Sequence, residues 1–289
     1  MIPSSFDYES PATIQVAIGL LEKYGDEAKI LSGGHSLIPM MKLRFASPGY
    51  LIDINNIPGL SYIKEEGGIV KIGALVREVE VEHADLLKKH FPIFADVTKQ
   101  IADPSVRNRA TIAGNLAHGD AANDQPAVML ALRASVVITG SAGSRIVPID
   151  EFFFGFYSTA IQPNEILTEI QIPVPPNGTG SAYHKLERKV GDYATAGVGV
   201  QLTLDAKGIC TAIGIGLTNV NPVPLRAARS EAALLGKAIN DQTIAEAAKF
   251  AAEDCSPSSD LRGSEEYKRA MIGVLLKRMV IKAAQRAMR

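Results

Sequence analysis

The spacing of apolar residues predicts a first part of the chain that alternates short helices with strands. Ile14, Ala17, Ile18 and Leu21 recur at helical spacing. Ser10-Pro11 would cap this helix and Gly25 would end it. A buried strand over 28–31 then runs into Ser32-Gly33-Gly34-His35-Ser36, followed by a helix over 37–44 and a strand over 50–54. The opening of the chain is therefore predicted as helix, strand, glycine turn, helix and strand.

In the middle of the chain, the pattern of apolar and polar residues predicts two hairpins on either side of a long stretch without regular periodicity. Gly67-Gly68 separates two alternating segments, 62–64 and 69–72, and is a good two-residue hairpin turn. Helices are predicted over 78–89, 92–101 and 125–133, a second hairpin around Ser141-Ala142-Gly143, and a strand over 165–172. Residues 103–124 are predicted as irregular, and an irregular stretch of this length inside a compact domain is usually functional.

A segment rich in proline and glycine, 173–180, is the best candidate for a linker. After it, residues 182–217 are predicted as a strand meander with a turn at 205–208, and three helices are predicted near 226–238, 241–254 and 264–287. The pattern predicts an α+β protein with a domain over residues 1–176 and a second domain over 177–289, an antiparallel sheet followed by helices.

Composition and charge narrow the classes of function. The formal net charge is −1, so no long-range field favours nucleic acid or an anionic membrane as a partner. No run of about twenty apolar residues spans a membrane and no secretory signal is present, so a cytoplasmic protein is expected. Two cysteines, Cys210 and Cys255, cannot supply the four thiolates of an iron–sulfur cluster.

The basic C-terminal segment is interpreted as a solvated helix face, with a subunit contact as the alternative.

Two glycine-rich elements are the strongest functional signals. Glycines at 33 and 34 stand between a strand and a helix, where backbone amides can approach an anion closely. Thr111-Ile112-Ala113-Gly114-Asn115 is a second such element. Each alone is equally well explained as a tight turn or a packed loop, but amides from two loops could enclose a dinucleotide pyrophosphate without lysine or metal. His118, Asp120 and Asp124 match no metal motif, so no metal site is predicted.

The segments LSGGHSL and NRATIAGNLAHGD, at this separation, resemble the FAD-binding medium subunit of the xanthine dehydrogenase and aerobic carbon monoxide dehydrogenase family. The family's loops have the sequences A-G-G-H-S and T-I-G-G-N, and here Ser32 and Ala113 depart from them. The resemblance continues through IADPSVRNRATIAGN, AANDQPA, YHKLERKVGDYATAG, LTNVNPVPLRA and DLRGSEEYK, over essentially the whole chain. It implies the two-subdomain FAD-binding fold of the vanillyl-alcohol oxidase and MurB (PCMH) type, followed by a C-terminal flavoprotein domain.

Carried over residue by residue, the resemblance implies a cofactor-binding set. The pyrophosphate would lie against Ser32, Gly33, Gly34, His35 and Ser36, and against Thr111, Ala113, Gly114 and Asn115, and Leu37 also belongs to the set. Asp124 would bind sugar or ribityl hydroxyls, Ile101 and Leu167 would pack on the rings, Lys185 would approach the pyrimidine end of the flavin and Tyr193 its face. From the residues alone, Asp124 could instead cap a helix, Lys185 could be a surface residue, and Tyr193, Ile101 and Leu167 could be core.

The resemblance also implies an electron-transfer role without catalytic residues on this chain. A large subunit with a molybdenum cofactor would oxidise the substrate, a small subunit with 2Fe-2S clusters would relay electrons, and FAD on this chain would pass them to an acceptor, in a dimer of heterotrimers. A carbon monoxide dehydrogenase is expected, with an aldehyde or N-heteroaromatic dehydrogenase as the alternative. Two further hypotheses are a self-sufficient FAD oxidoreductase, which would need its own acid or base beside the flavin, and a scaffold that has lost FAD.

Overall fold

The computed structural model describes residues 1–289 as a mixed α and β molecule with four β-sheets. The strands are β1 (Asp7–Glu9), β2 (Ala28–Leu31), β3 (Tyr50–Asp53), β4 (Ile63–Glu66), β5 (Ile69–Gly73), β6 (Ser135–Gly140), β7 (Gly143–Pro148), β8 (Phe153–Gly155), β9 (Ser158–Thr159), β10 (Ile166–Pro173), β11 (Thr179–Leu186), β12 (Ala196–Leu204), β13 (Cys210–Thr218) and β14 (Leu225–Arg226). The helices are α1 (Ile14–Tyr24), α2 (Leu37–Lys42), α3 (Glu78–His83), α4 (Asp85–His90), α5 (Ile93–Val97), α6 (Pro104–Arg107), α7 (Ile112–Ala117), α8 (Asp124–Ala131), α9 (Ala228–Leu234), α10 (Asp241–Asp254) and α11 (Glu265–Ala287).

Two subdomains form the first part of the chain. A parallel sheet of order β1-β3-β2 packs its apolar face against α1, whose Ala17, Ile18 and Leu21 are buried as their spacing predicted. An antiparallel sheet of order β4-β5-β10-β6-β7 forms the second subdomain around the largest apolar core. The β4–β5 turn has Gly67 and Gly68 at φ 59° and 76°, the left-handed conformations that a type I′ hairpin requires. The two-subdomain architecture is thus confirmed.

The last part of the chain is an antiparallel sheet of order β11-β12-β13-β14 covered by α9, α10 and α11. Its meander follows the predicted ranges closely, and its three long strands are buried on both faces: Gly180 of β11 packs against α11, while Gly214 and Gly216 of β13 pack against α8. None of the helices in the molecule combines the length and the apolar character needed to cross a lipid bilayer.

Several local predictions were wrong. Thr13, three residues after Ser10, caps α1 through a 3.2 Å hydrogen bond from the Val16 amide. The helix predicted over 78–89 is two helices separated at Ala84, and the stretch predicted as irregular contains α6 and α7. The second glycine-rich element is therefore not a loop. It is the first turn of α7, capped by the hydroxyl of Thr111.

The basic C-terminal segment is also less solvated than predicted. Lys268 is fully buried and donates to Asp260 and to the Ser258 carbonyl. Lys282 and Arg286 both bind Asp96, which lies in the first part of the chain. These side chains join parts of the same molecule, an outcome that helical periodicity cannot indicate because it carries no information about the surface opposite a helix.

Candidate functional site

A cleft of about 720 Å³ opens where the two subdomains and the loop between β11 and β12 meet. All fifteen residues of the predicted cofactor-binding set line it. They come from segments of the chain up to 161 positions apart (Ser32 to Tyr193), so the fold brings together residues that the sequence only implied by resemblance.

The first glycine-rich element leads from β2 into α2 and carries unpaired backbone donors. The amides of Gly33, Gly34, His35 and Ser36 make no hydrogen bond within the protein. Gly34 has φ 74°, a left-handed conformation that glycine adopts at no steric cost. The His35 ring is held to the Gly33 carbonyl, 2.7 Å from Nδ1. Consecutive unpaired amides at such a turn form a concave site suited to an anion.

The second element crosses the first at a close approach. A Cβ added to Gly33 would lie 2.6 Å from the Arg109 carbonyl oxygen, and one added to Gly114 would lie 2.6 Å from Thr111 Oγ1. The hydroxyls of Ser32 and Thr111 are 3.2 Å apart. A side chain at Gly33 would meet the backbone of the second element, whereas a side chain at Gly114 would meet the Thr111 hydroxyl of its own element and, at 3.1 Å, the hydroxyl of Ser32.

Ala113, where the family has glycine, is accommodated without strain. It lies in the first turn of α7 and is not among the residues with positive φ, and only 3% of it is exposed. A methyl group is therefore sterically tolerated here. The scaffold hypothesis, which rested on this departure, has no steric support.

Asn115 presents the clearest unmet hydrogen-bonding capacity in the cleft. Its Oδ1 is buried and has no partner within the protein. Buried amide groups are normally paired, and an asparagine amide can present either its oxygen or its nitrogen to a ligand by turning over. The side chain is consistent with a residue that completes its bonding when a polar ligand is present.

The floor of the cleft is a buried ion pair. Lys185 Nζ lies 2.9 Å from Asp124 Oδ2 and donates to the Asp192 carbonyl at 2.7 Å, while the Tyr183 hydroxyl donates to Asp124 Oδ1 at 2.5 Å. Burial raises the pKa of Asp124 above its usual value, and Lys185 and Tyr183 oppose that shift. Lys185 is thus not a surface residue, and Asp124 is not a helix cap, since its carboxylate is turned toward β11.

Aromatic and apolar side chains form the remaining walls. Ile101 and Leu167 are buried apolar residues of the cleft, and Tyr193 is 41% exposed at its mouth, with the guanidinium carbon of Arg262 5.6 Å from its ring centre. Tyr157 and His118 also line the cleft and stack at 4.7 Å between ring centres. Sequence reasoning missed Tyr157. The aromatic run at 152–157 was its one available signal.

No group of three or more His, Cys, Asp or Glu side chains is placed to hold a metal ion. His118 stacks on Tyr157 and Asp124 is committed to Lys185, so the triad that could be drawn in sequence is not assembled in space. The amide row, the unpaired Asn115 and the mixed polar and apolar walls instead fit an elongated ligand that joins anionic groups to flat rings. FAD is such a ligand, and a cleft of this volume is in the usual range for cofactors.

Comparison with known proteins agrees with this fit. Residues 4–175 match the family described as FAD binding domain in molybdopterin dehydrogenase, and residues 181–283 match the CO dehydrogenase flavoprotein C-terminal domain. The carbon monoxide dehydrogenase medium chain of Hydrogenophaga pseudoflava is 47% identical, over 96% of each chain. That of Afipia carboxidovorans is 46% identical, over 99% of each.

The structural likeness extends over the same length. A solved structure of carbon monoxide dehydrogenase from Hydrogenophaga pseudoflava, which lacks the Mo-pyranopterin moiety of its cofactor, contains a chain that superposes with a TM-score of 0.97. The superposition covers 99% of both chains at 48% identity. The chain therefore belongs to the FAD-binding flavoprotein subunits of the molybdopterin dehydrogenase family.

Proposed function

We propose that this chain is the medium subunit of an aerobic carbon monoxide dehydrogenase and that FAD is held in the cleft described above. The observation that carries the proposal is the convergence of the fifteen residues implied by the family resemblance on one cleft beside a row of unpaired amides. The identity of 46–47% to two carbon monoxide dehydrogenase medium chains, over nearly their full length, supports the substrate class.

Each part of the cleft has a role in this proposal. The amides of 33–36 and the first turn of α7 would bind the pyrophosphate, with Asn115 completing the contact. Asp124 would accept from ribityl or sugar hydroxyls with lone pairs left free by Tyr183 and Lys185. Lys185 would approach the pyrimidine end, Tyr193 would cover the flavin face, and Ile101 and Leu167 would pack on the rings.

FAD would supply the capacity to accept electrons one at a time and release them in pairs. This chain would bind and orient the cofactor and limit water at its buried end, while a large subunit with a molybdenum cofactor oxidises the substrate and a small subunit with 2Fe-2S clusters delivers electrons. The only cysteines, Cys210 and Cys255, are buried and far apart in sequence, so they do not offer cluster ligands here.

The assembly would be a dimer of heterotrimers in the cytoplasm. The burial of both free cysteines, which raises the pKa of Cys210 to about 11 and that of Cys255 to about 12, is consistent with reduced, unreactive thiols. A domain boundary near residue 177 is supported by the two family matches, which end at 175 and begin at 181.

Asn115→Ala tests the cofactor site with little risk to the fold, because no hydrogen bond within the protein uses this side chain's oxygen. We expect the complex assembled from all three subunits to retain less flavin, with FAD affinity lowered about 10-fold by loss of one or two polar contacts. Flavin per polypeptide is measured by absorbance. Asn177→Ala, at an exposed position that does not line the cleft, is the control. A full flavin complement in Asn115→Ala would count against the assignment.

Omitting single subunits tests whether substrate oxidation requires the large subunit while this chain only accepts the electrons. With all three subunits present, we expect oxidation of carbon monoxide to reduce the flavin. Preparations that omit the large subunit should show none with carbon monoxide, aldehydes or N-heteroaromatics. If the complete complex oxidises an aldehyde or an N-heteroaromatic in preference to carbon monoxide, the proposed substrate is wrong and that class takes its place. Steady turnover by this chain without its partners would favour the self-sufficient oxidoreductase.

A further inference from the structure

The side chains of Asn55 and Arg77 join the two glycine-rich elements from behind the cleft. Asn55 Nδ2 donates to the Ser32 carbonyl at 2.9 Å, and Asn55 Oδ1 accepts from Arg77 Nη2 at 2.5 Å. Arg77 Nη1 donates to the Arg109 carbonyl. These bonds form a continuous path from the end of β2 to the residues before α7, which we name the Asn55–Arg77 clasp.

The Asn55–Arg77 clasp holds the backbone where the two glycine-rich elements approach each other most closely. The Arg109 carbonyl that accepts from Arg77 is also the group against which Gly33 packs without room for a Cβ. The Ser32 carbonyl held by Asn55 belongs to the residue whose hydroxyl meets Thr111. Both bonds therefore restrain the backbone beside the unpaired amides.

Each half of the clasp is itself held in place. Asp53 Oδ1 accepts from both the backbone and the side-chain amide of Asn55, and its Oδ2 accepts from the Tyr8 hydroxyl at 2.6 Å. The backbone of Arg77 pairs with Thr111, and its amide donates to Glu80 at 2.7 Å. A planar guanidinium that donates from two nitrogens to the Asn55 amide oxygen and the Arg109 carbonyl holds these two acceptors in one fixed geometry, which the flexible ammonium of a lysine does not impose.

We propose that Asn55 and Arg77 are positioning residues for the FAD pyrophosphate: they set the gap between the two glycine-rich elements and so determine how tightly the diphosphate is held. Neither needs to touch the cofactor. The inference rests on the proposed site. Its physical basis is preorganisation, because amides held in the bound geometry before the ligand arrives lose less entropy when it binds.

The test measures the rate of FAD release from the assembled complex, followed by the rise in flavin fluorescence. Arg77→Gln and Asn55→Ala should each speed release about 10-fold, equivalent to about 1.4 kcal/mol. Because both act through one path, the double variant should be no faster than about the faster single variant. If the effects of the two single variants on the release rate add in the double variant, the proposal that they act through one path is wrong.

The variant Arg77→Lys tests whether FAD release depends on the hydrogen-bond geometry of residue 77 or only on its positive charge. It keeps the positive charge but loses the rigid planar fork that fixes the two acceptors relative to each other, so release should remain nearly as fast as in Arg77→Gln. A wild-type rate in Arg77→Lys would mean that only charge matters, and it would refute the proposal. Arg229→Gln is the matched control, since this arginine also makes two side-chain bonds but lies on the exposed face of the C-terminal part.

Comparing competition by ADP with competition by riboflavin shows whether the clasp variants lose diphosphate binding specifically or lose structure in general. In the flavin-free complex, the clasp variants should weaken competition by ADP, which contains a diphosphate, and leave competition by riboflavin, which has no phosphate, unchanged. Equal loss for both ligands would make the two residues merely structural. If Asn55→Ala does not assemble, Asn55→Asp removes the same N–H donor to Ser32 at nearly constant size.

The Asn115→Ala result separates failure of this inference from failure of the site. Faster release in Asn115→Ala with unchanged release in every clasp variant would reject the clasp alone. Unchanged release in all of them would reject both.

Discussion

At the residue scale, the most informative buried polar groups outside the cleft are Glu78 and Gln125. Both are fully buried, and Gln125 Nε2 donates to Glu78 Oε2 at 2.8 Å. Their Oε1 atoms have no partners. Burial raises the pKa of Glu78 to about 8, with the nearby Asp124 adding to the shift. A protonated Glu78 would donate to Gln125 Oε1, so that the acid and the amide satisfy each other completely.

Glu78→Gln should therefore change the pH dependence of stability. The pKa of Glu78 rises from an ordinary value of 4.5 to about 8 on folding. Its contribution is fully present below pH 4.5 and is lost as the pH rises to about 8, because the unfolded chain releases this proton more readily. A glutamine keeps the reciprocal bonds at every pH. We expect Glu78→Gln to melt higher than wild type at pH 8.5, with the difference shrinking toward pH 5.

Thermal unfolding at a series of pH values measures this difference. Glu253→Gln, at an exposed carboxylate, is the control and should not show the trend. A constant difference between wild type and Glu78→Gln from pH 5 to pH 8.5 would mean that Glu78 is ionised in the folded protein.

At the element scale, α8 shows how closely the two parts of the chain are packed. All eight residues of this helix are buried, and its backbone lies directly on glycines of β13. A Cβ added to Gly216 would lie 2.0 Å from the Ala127 carbonyl oxygen, and one added to Gly214 would lie 2.1 Å from that of Ala131. Because α8 begins at Asp124, this contact also places the floor of the cleft.

Gly216→Ala should destabilise the protein by roughly 3 kcal/mol or more, since backbone atoms on both sides must move to admit one methyl group. The displaced helix should also weaken FAD binding through Asp124. The matched control is Gly19→Ala. Gly19 lies within α1 with no atom within 4 Å of an added Cβ, so alanine should stabilise by about 0.5–1 kcal/mol. Chemical denaturation measures both, and a Gly216→Ala protein as stable as wild type would contradict the described packing.

At the scale of the whole molecule, Asp96 links α11 to the first part of the chain. Its carboxylate accepts from Lys282 at 2.9 Å, from Arg286 at 2.7 and 3.0 Å, and from the Tyr183 amide at 3.2 Å. Burial acts to raise the pKa of Asp96, but Arg286 and Lys282 outweigh it and hold the pKa below the usual value. The link therefore stabilises the fold above pH 4 and is lost as the pH falls through the lowered pKa.

Asp96→Asn should lower the free energy of unfolding at pH 7 by roughly 2–3 kcal/mol, because hydrogen bonds to charged groups are lost and two cations remain partly buried. Asp254→Asn, in the exposed pair with Arg229, should cost at most about 1 kcal/mol. Hydrogen exchange should show faster opening of α11 only in Asp96→Asn. Equal effects of the two variants would show that the link between the two parts lies elsewhere.

The sequence by itself determined many of the elements and indicated the chemistry of the cofactor site. Helical spacing identified α1, the Gly67-Gly68 turn identified the β4–β5 hairpin, and the apolar segment after the linker identified the meander of β11, β12 and β13, because each of these signals is local in the sequence. The glycine-rich segments and their resemblance to a known family indicated FAD, and a family match now supports it.

Only the tertiary structure decided where those pieces lie and what they contact. It placed Thr111 as the cap of a helix, turned Lys185 inward to Asp124, and brought Asn55 and Arg77 behind the two glycine-rich elements. It also paired the basic residues of α11 with Asp96. None of these contacts follows from local spacing, since each joins segments whose separation along the chain is closed only when buried side chains pack together.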